Sequence, residues 1–121
     1  SSDLPFNYVR NCLVYTGTHD NDTTLGWYDK IGDYDRGRLN EYVGCISSAG
    51  IHWTLIRLAL FSIANQAIIP LQDVLGYGSD CRMNTPGKSD GNWGWRYQPD
   101  VLTDDIRDSL RSLTEFSKRA P

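Results

Sequence analysis

Two short apolar runs constrain this chain more than anything else in it. Cys12–Thr16 and Ala67–Leu71 are each too short for a buried helix and are partly β-branched, so both read as buried strands. Between them lies the clearest helical segment, 51–66, where Ile51, Leu55, Leu58, Ala59, Ser62 and Ile63 recur at helical spacing. Two strands joined by a helical crossover make a βαβ unit, and a βαβ unit implies parallel pairing in an α/β fold. Pro70 inside the second run restricts where that strand can pair.

The remaining segments fit around this unit. Residues 33–43 are charged and weakly periodic, which predicts a short surface helix with Gly44 just past its end. Gln72–Leu75 predicts one helical turn stopped by Gly76. Residues 76–99 are rich in Gly and Pro and predict a long loop, but Trp93, Trp95 and Tyr97 argue that it packs. A last helix is predicted over 104–118. Thr103 serves as its N-cap, and Asp104 and Asp105 stand in its first turn, where the helix dipole favours them. Its apolar stripe is Leu102, Ile106, Leu110, Leu113 and Phe116.

Composition narrows the function classes. With 40% hydrophobic and 22% charged residues, the 121-residue chain is globular rather than disordered. Its formal net charge of −3 and lack of a basic run speak against nucleic acid and anionic membrane surfaces as partners. No apolar run reaches transmembrane length. Cys12, Cys45 and Cys81 are an odd, widely spaced set with neither metal-ligand nor disulfide-framework spacing, so the simplest reading is a reduced, cytoplasmic protein with inert cysteines.

In α/β folds, functional loops follow the C-terminal ends of strands, and both polar clusters of this chain occupy that place. His19-Asp20-Asn21-Asp22 comes directly after the first strand. Carboxylates there can accept bonds from sugar hydroxyls and stabilise positive charge at an anomeric carbon. A metal site is a second reading, but a calcium loop fails because Leu25 stands where the turn glycine belongs. A third is that Asp20 or Asp22 caps a helix beginning near Thr23, with Gly26 closing the stretch. In the second cluster, Arg82-Met83-Asn84-Thr85-Pro86-Gly87, Asn84 offers a donor and an acceptor suited to hydroxyls, or else simply fixes a Pro-Gly turn. Trp93 and Trp95 either stack on sugar rings or pack the loop. His52 reads as structural.

Tyr15-Thr16-Gly17-Thr18-His19-Asp20-Asn21-Asp22-Thr23 resembles a signature of the 4-α-glucanotransferases (the amylomaltases or disproportionating enzymes of glycoside hydrolase family 77). Three further segments agree in the same order: Ala67–Asp73, Arg82–Gly87 and Gly91–Arg96. The resemblance implies that residues 1–121 are the C-terminal part of a (β/α)8 TIM barrel, about strands seven and eight with their helices. It also implies retaining transfer of α-1,4-glucan segments between maltooligosaccharides. Asp20 then corresponds to the transition-state-stabilising carboxylate, and His19 and Asn84 to substrate-binding residues. No cofactor and no metal is implied.

The nucleophile and the acid/base glutamate of the family lie on earlier strands. Glu41 and Glu115, the only glutamates, fall in expected surface helices. The isolated chain is therefore expected to be unstable and inactive on maltotriose. The alternative is a free-standing, non-catalytic glucan-binding module.

Overall fold

The computed structural model describes residues 12–44 and 50–119; the expectations for the leading segment and for Cys45 lie outside them. Two strands, β1 (Leu13–Tyr15) and β2 (Gln66–Ile68), pair in parallel with Val14 opposite Ala67. Among the described residues three helices separate them: α1 (Thr24–Lys30), α2 (Asp33–Val43) and α3 (Ile51–Phe61). After β2 come α4 (Leu71–Leu75), a 3₁₀ turn at Ser79–Cys81, a second at Pro99–Val101, and α5 (Asp104–Phe116). The parallel βαβ unit is thus present, with more helix in its crossover than periodicity indicated.

Local chemistry explains the helix ends. Thr23 Oγ1 accepts from Gly26 N at 3.1 Å and caps α1. Neither Asp20 nor Asp22 is that cap, and Gly26 sits inside α1 instead of closing the stretch before it. Gly26 is where two elements come close. A Cβ there would fall against Ser79 Oγ and 2.6 Å from Asp22 Oδ1. α2 ends where expected, at Gly44, whose φ of 77° is costly for other residues. α5 starts as expected, with Thr103 Oγ1 accepting from Ile106 N.

Pro70 stands as the N-cap residue of α4, so β2 stops short of it and the ring interrupts no ladder. α3 stops at Phe61, five residues before the expected end. Arg119 explains this, because its guanidinium donates to the carbonyl oxygens of Leu60, Ser62 and Ala64. Those carbonyls are turned toward the end of α5 and satisfied there.

The core has two parts. Val14 of β1 packs with Ala59 and Ala64, and Cys12 and Ala67 lie against them. Ile56, Leu60 and Val74 form the other cluster, against which Ile106, Leu110 and Leu113 of α5 lie. α3 therefore buries Ile56 (0% exposed) and Leu60 as well as Ile51 and Ala59. Of the stripe expected on α5, the middle three residues pack, whereas Phe116 is 76% exposed. Leu55 and Leu58 line a pocket of ≈ 430 Å³ between β1, α1, α2 and α3.

Candidate functional site

A smaller pocket of ≈ 170 Å³ opens at the C-terminal end of the two strands. Its walls come from both polar clusters: Thr18, His19 and Asn21 after β1, and Arg82, Met83 and Trp93 after β2. Parallel pairing makes this convergence inevitable. Chains leaving two parallel strands emerge on the same side.

The first loop is built by its own short side chains. Asn21 N donates to Thr18 O at 3.1 Å, so 18–21 is a tight turn with His19 and Asp20 at its tip. Asn21 Oδ1 accepts from both Thr18 N and Thr18 Oγ1, which fixes the turn from inside. His19 and Asp20 are about half exposed, and His19 Nε2 lies 3.3 Å from Asp20 Oδ1.

The second loop closes on the first. Asn84 Nδ2 donates to Asp20 Oδ1 at 2.5 Å. Arg82 Nη2 donates to Asp20 O at 2.6 Å, and Arg82 Nε donates to Asn84 O at 2.9 Å. Gln72 Nε2 donates to Cys81 O, which anchors the start of this segment. Further along, Trp93 N donates to Met83 O at 2.7 Å, and the Trp93 ring stands 4.9 Å from the His19 ring. Trp93 has φ 61°, an uncommon conformation for a bulky residue. Trp95 stands between Tyr77 and Tyr97, with ring centroids 6.1 Å away on each side, so this ring packs the loop.

Two more carboxylates hold the frame. Asp73 is 2% exposed; it accepts from Thr16 Oγ1 at 2.6 Å and from Thr24 N at 2.8 Å. It ties the end of β1, the start of α1 and α4 together. Asp22 accepts from Thr23 N, Ser79 Oγ and Lys30 Nζ. Burial pushes the Asp22 carboxyl upward, but these bonds and the Lys30 charge outweigh it and hold the group below the usual carboxylate range.

All three residues nominated from the sequence, His19, Asp20 and Asn84, thus meet at one oxygen, Asp20 Oδ1. Sequence reading gave no role to Arg82 or Asp73. Arg82 opens the segment Arg82–Gly87, and Asp73 closes the segment Ala67–Asp73. An acidic residue inside an apolar stretch was the signal that a buried carboxylate needs partners.

The other reactive-looking groups stand apart from this cluster. His52 is wedged between Gly50 and Gly76. Its Nδ1 makes no bond among the described residues. Burial lowers its pKa against the opposing pull of Asp73, which favours the neutral ring. Cys12 and Cys81 are free thiols. Burial, then the nearby Asp80 charge, raises the Cys81 pKa and keeps it a thiol. Among the described residues no three His, Cys, Asp or Glu side chains converge as a metal site would require. No helix there is long and apolar enough to cross a membrane.

A carboxylate flanked by an imidazole, a carboxamide and an exposed indole, at the C-terminal end of parallel strands, has the donors, acceptors and aromatic face that a carbohydrate site uses. The family described as 4-alpha-glucanotransferase matches residues 1–103. The 4-alpha-glucanotransferase of Synechocystis sp. is 56% identical over 96% of this chain and 23% of its own length. That of Thermus thermophilus is 40% identical over 96% of the chain and 25% of its own. The chloroplastic/amyloplastic enzyme of Solanum tuberosum is 43% identical over 93% of the chain and 20% of its own. An amylomaltase from Streptococcus agalactiae, solved in complex with acarbose, superposes with a TM-score of 0.96 at 30% identity. That match covers 100% of this chain and 24% of the amylomaltase.

The chain belongs to the 4-alpha-glucanotransferase family, glycoside hydrolase family 77. It spans about a quarter of the length of the curated relatives it matches.

Proposed function

We propose that this chain is the C-terminal part, strands seven and eight with their helices, of the (β/α)8 barrel of a 4-α-glucanotransferase. In this reading Asp20 stabilises the transition state of α-1,4-glucan transfer between maltooligosaccharides. The observation that carries it is the meeting of His19 and Asn84, from two different loops, at Asp20 Oδ1. Among the described residues no bond is made to Asp20 Oδ2, which is left as an acceptor for sugar hydroxyls.

Retaining transfer needs a nucleophile and an acid/base carboxyl roughly 5–5.5 Å apart, flanking the bond. Those two groups belong to parts of the enzyme outside this chain. Asp20 contributes differently. As the anomeric carbon becomes oxocarbenium-like, a fixed negative charge gripping the ring's hydroxyls is worth more than in the ground state. His19 and Asn84 would hold hydroxyls beside it, and the nearby Trp93 ring offers an apolar face to a sugar. Transfer instead of hydrolysis follows when a second glucan hydroxyl, and not water, attacks the intermediate. The reading includes no cofactor and places the enzyme in the cytoplasm, in keeping with its free thiols.

In a full-length protein carrying this segment, Asp20→Asn should lower kcat for maltotriose disproportionation by at least ~1000-fold, about 4 kcal/mol. A loss under ~10-fold would reduce Asp20 to a turn residue. The isolated chain should be inactive. A free-standing glucan-binding module would instead be retarded in amylose-affinity electrophoresis, where a barrel segment should show no retardation.

A further inference from the structure

We propose that Arg82 is a positioning residue that sets the Asp20 carboxylate by bracing the two loops of the site against each other; this rests on the reading of Asp20 above. Two of its donors reach the main-chain oxygens of the two residues whose side chains meet. Nη2 holds Asp20 O at 2.6 Å and Nε holds Asn84 O at 2.9 Å. The Asn84 side chain then holds Asp20 Oδ1 at 2.5 Å. These three bonds close a ring through Asp20, Asn84 and Arg82. A closed ring restricts the backbone that carries Asp20 as well as its rotamer.

Arg82 itself is fastened. Its own N–H donates to Ser79 O at 3.1 Å, and Ser79 Oγ donates to Asp22 in the first loop. Among the described residues the guanidinium forms no ion pair, and its bonds go to neutral carbonyls. What the site uses is therefore the rigid fork of donors. A lysine ammonium, a single point on a flexible stem, cannot reproduce two divergent bonds. A displacement of about 1 Å at a catalytic group can cost ~100-fold in rate. Arg82 acts through Asp20, so removing it should add little once the Asp20 charge has gone.

The test is a double-mutant cycle in the full-length enzyme with maltotriose, using Arg82→Lys, Asp20→Asn and the pair together. Arg82→Lys should lower kcat ~100-fold with KM within ~3-fold and Tm close to wild type. The pair should be no more than ~3-fold slower than Asp20→Asn alone. If Arg82→Lys does not fold, Arg82→Gln, which keeps a donor and similar bulk, takes its place in the cycle. In Arg82→Ala, millimolar guanidinium should restore activity at least ~10-fold. Wild-type kcat in Arg82→Lys, losses that multiply in the pair, or no rescue in folded Arg82→Ala each overturn the inference while leaving Asp20 in its role. A mild Asp20→Asn overturns both.

Discussion

The apolar body of the molecule and its polar end are held by different physics. In the body, Ile56, Leu60 and Val74 meet Ile106, Leu110 and Leu113 through burial, which is non-directional and scales with area. At the polar end, Asp20, Asp22 and Asp73 are held by directional bonds to partners far along the chain. Asn84 is 64 positions from Asp20, Arg82 is 62, and Ser79 is 57 from Asp22. A body of this kind accepts exchanges of similar volume. An end of this kind fails when one atom is lost, because a stranded polar group is costly. The difference separates effects on stability from effects on turnover.

The sharpest way to break that separation is Ile56→Ala. Deleting a fully buried side chain should cost about 4 kcal/mol of stability, read from the urea midpoint of the full-length protein. The kcat per folded molecule should stay within ~3-fold of wild type, since Ile56 is not among the residues that line the pocket. A drop like that expected for Asp20→Asn would dissolve the distinction.

Asp73→Ala tests the boundary between the regions. It strands the Thr16 hydroxyl and the Thr24 N–H in a buried place, at a cost of about 3 kcal/mol. It also loosens the loop that carries His19 and Asp20, so it should lower both the urea midpoint and kcat. If stability falls while kcat is untouched, Asp73 belongs to the body alone.

The smallest effect is a pH dependence. Asp22 has a folded pKa below its unfolded one. Its contribution is therefore complete above the ordinary carboxylate pKa of about 4 and is lost as pH falls through the lower folded value. Asp22→Asn should flatten the acid side of the stability curve without changing its neutral slope. An unchanged acid limb would mean that Lys30 and Ser79 do not hold Asp22 in solution.

This division also decides what could be seen in the sequence. The parallel βαβ unit, the end of α2 at Gly44 and the start of α5 at Thr103 were legible because their causes are local: periodicity, a left-handed glycine, a capping hydroxyl. The early end of α3 was not, because the cause is Arg119, more than fifty residues away. A helix beginning near Thr23 stood among the readings of the sequence and α1 is that helix, but Gly26 looks like a breaker and is instead required inside it by the close approach of Ser79 and Asp22. Expecting Leu55 and Leu58 on the core face missed that α3 buries Ile56 and Leu60 toward α4 and α5. His19, Asp20 and Asn84 were nominated through motif resemblance, yet their meeting, and the brace Arg82 supplies, needed the fold.

A crystal structure of the full-length protein with acarbose bound would test the role of Asp20 most directly. The Asp20 carboxylate should lie within about 2.5–3.2 Å of hydroxyls on the sugar ring at the reacting position, with Asn84 still bonded to Asp20. Acarbose seated in the active site with no contact to Asp20 would contradict it.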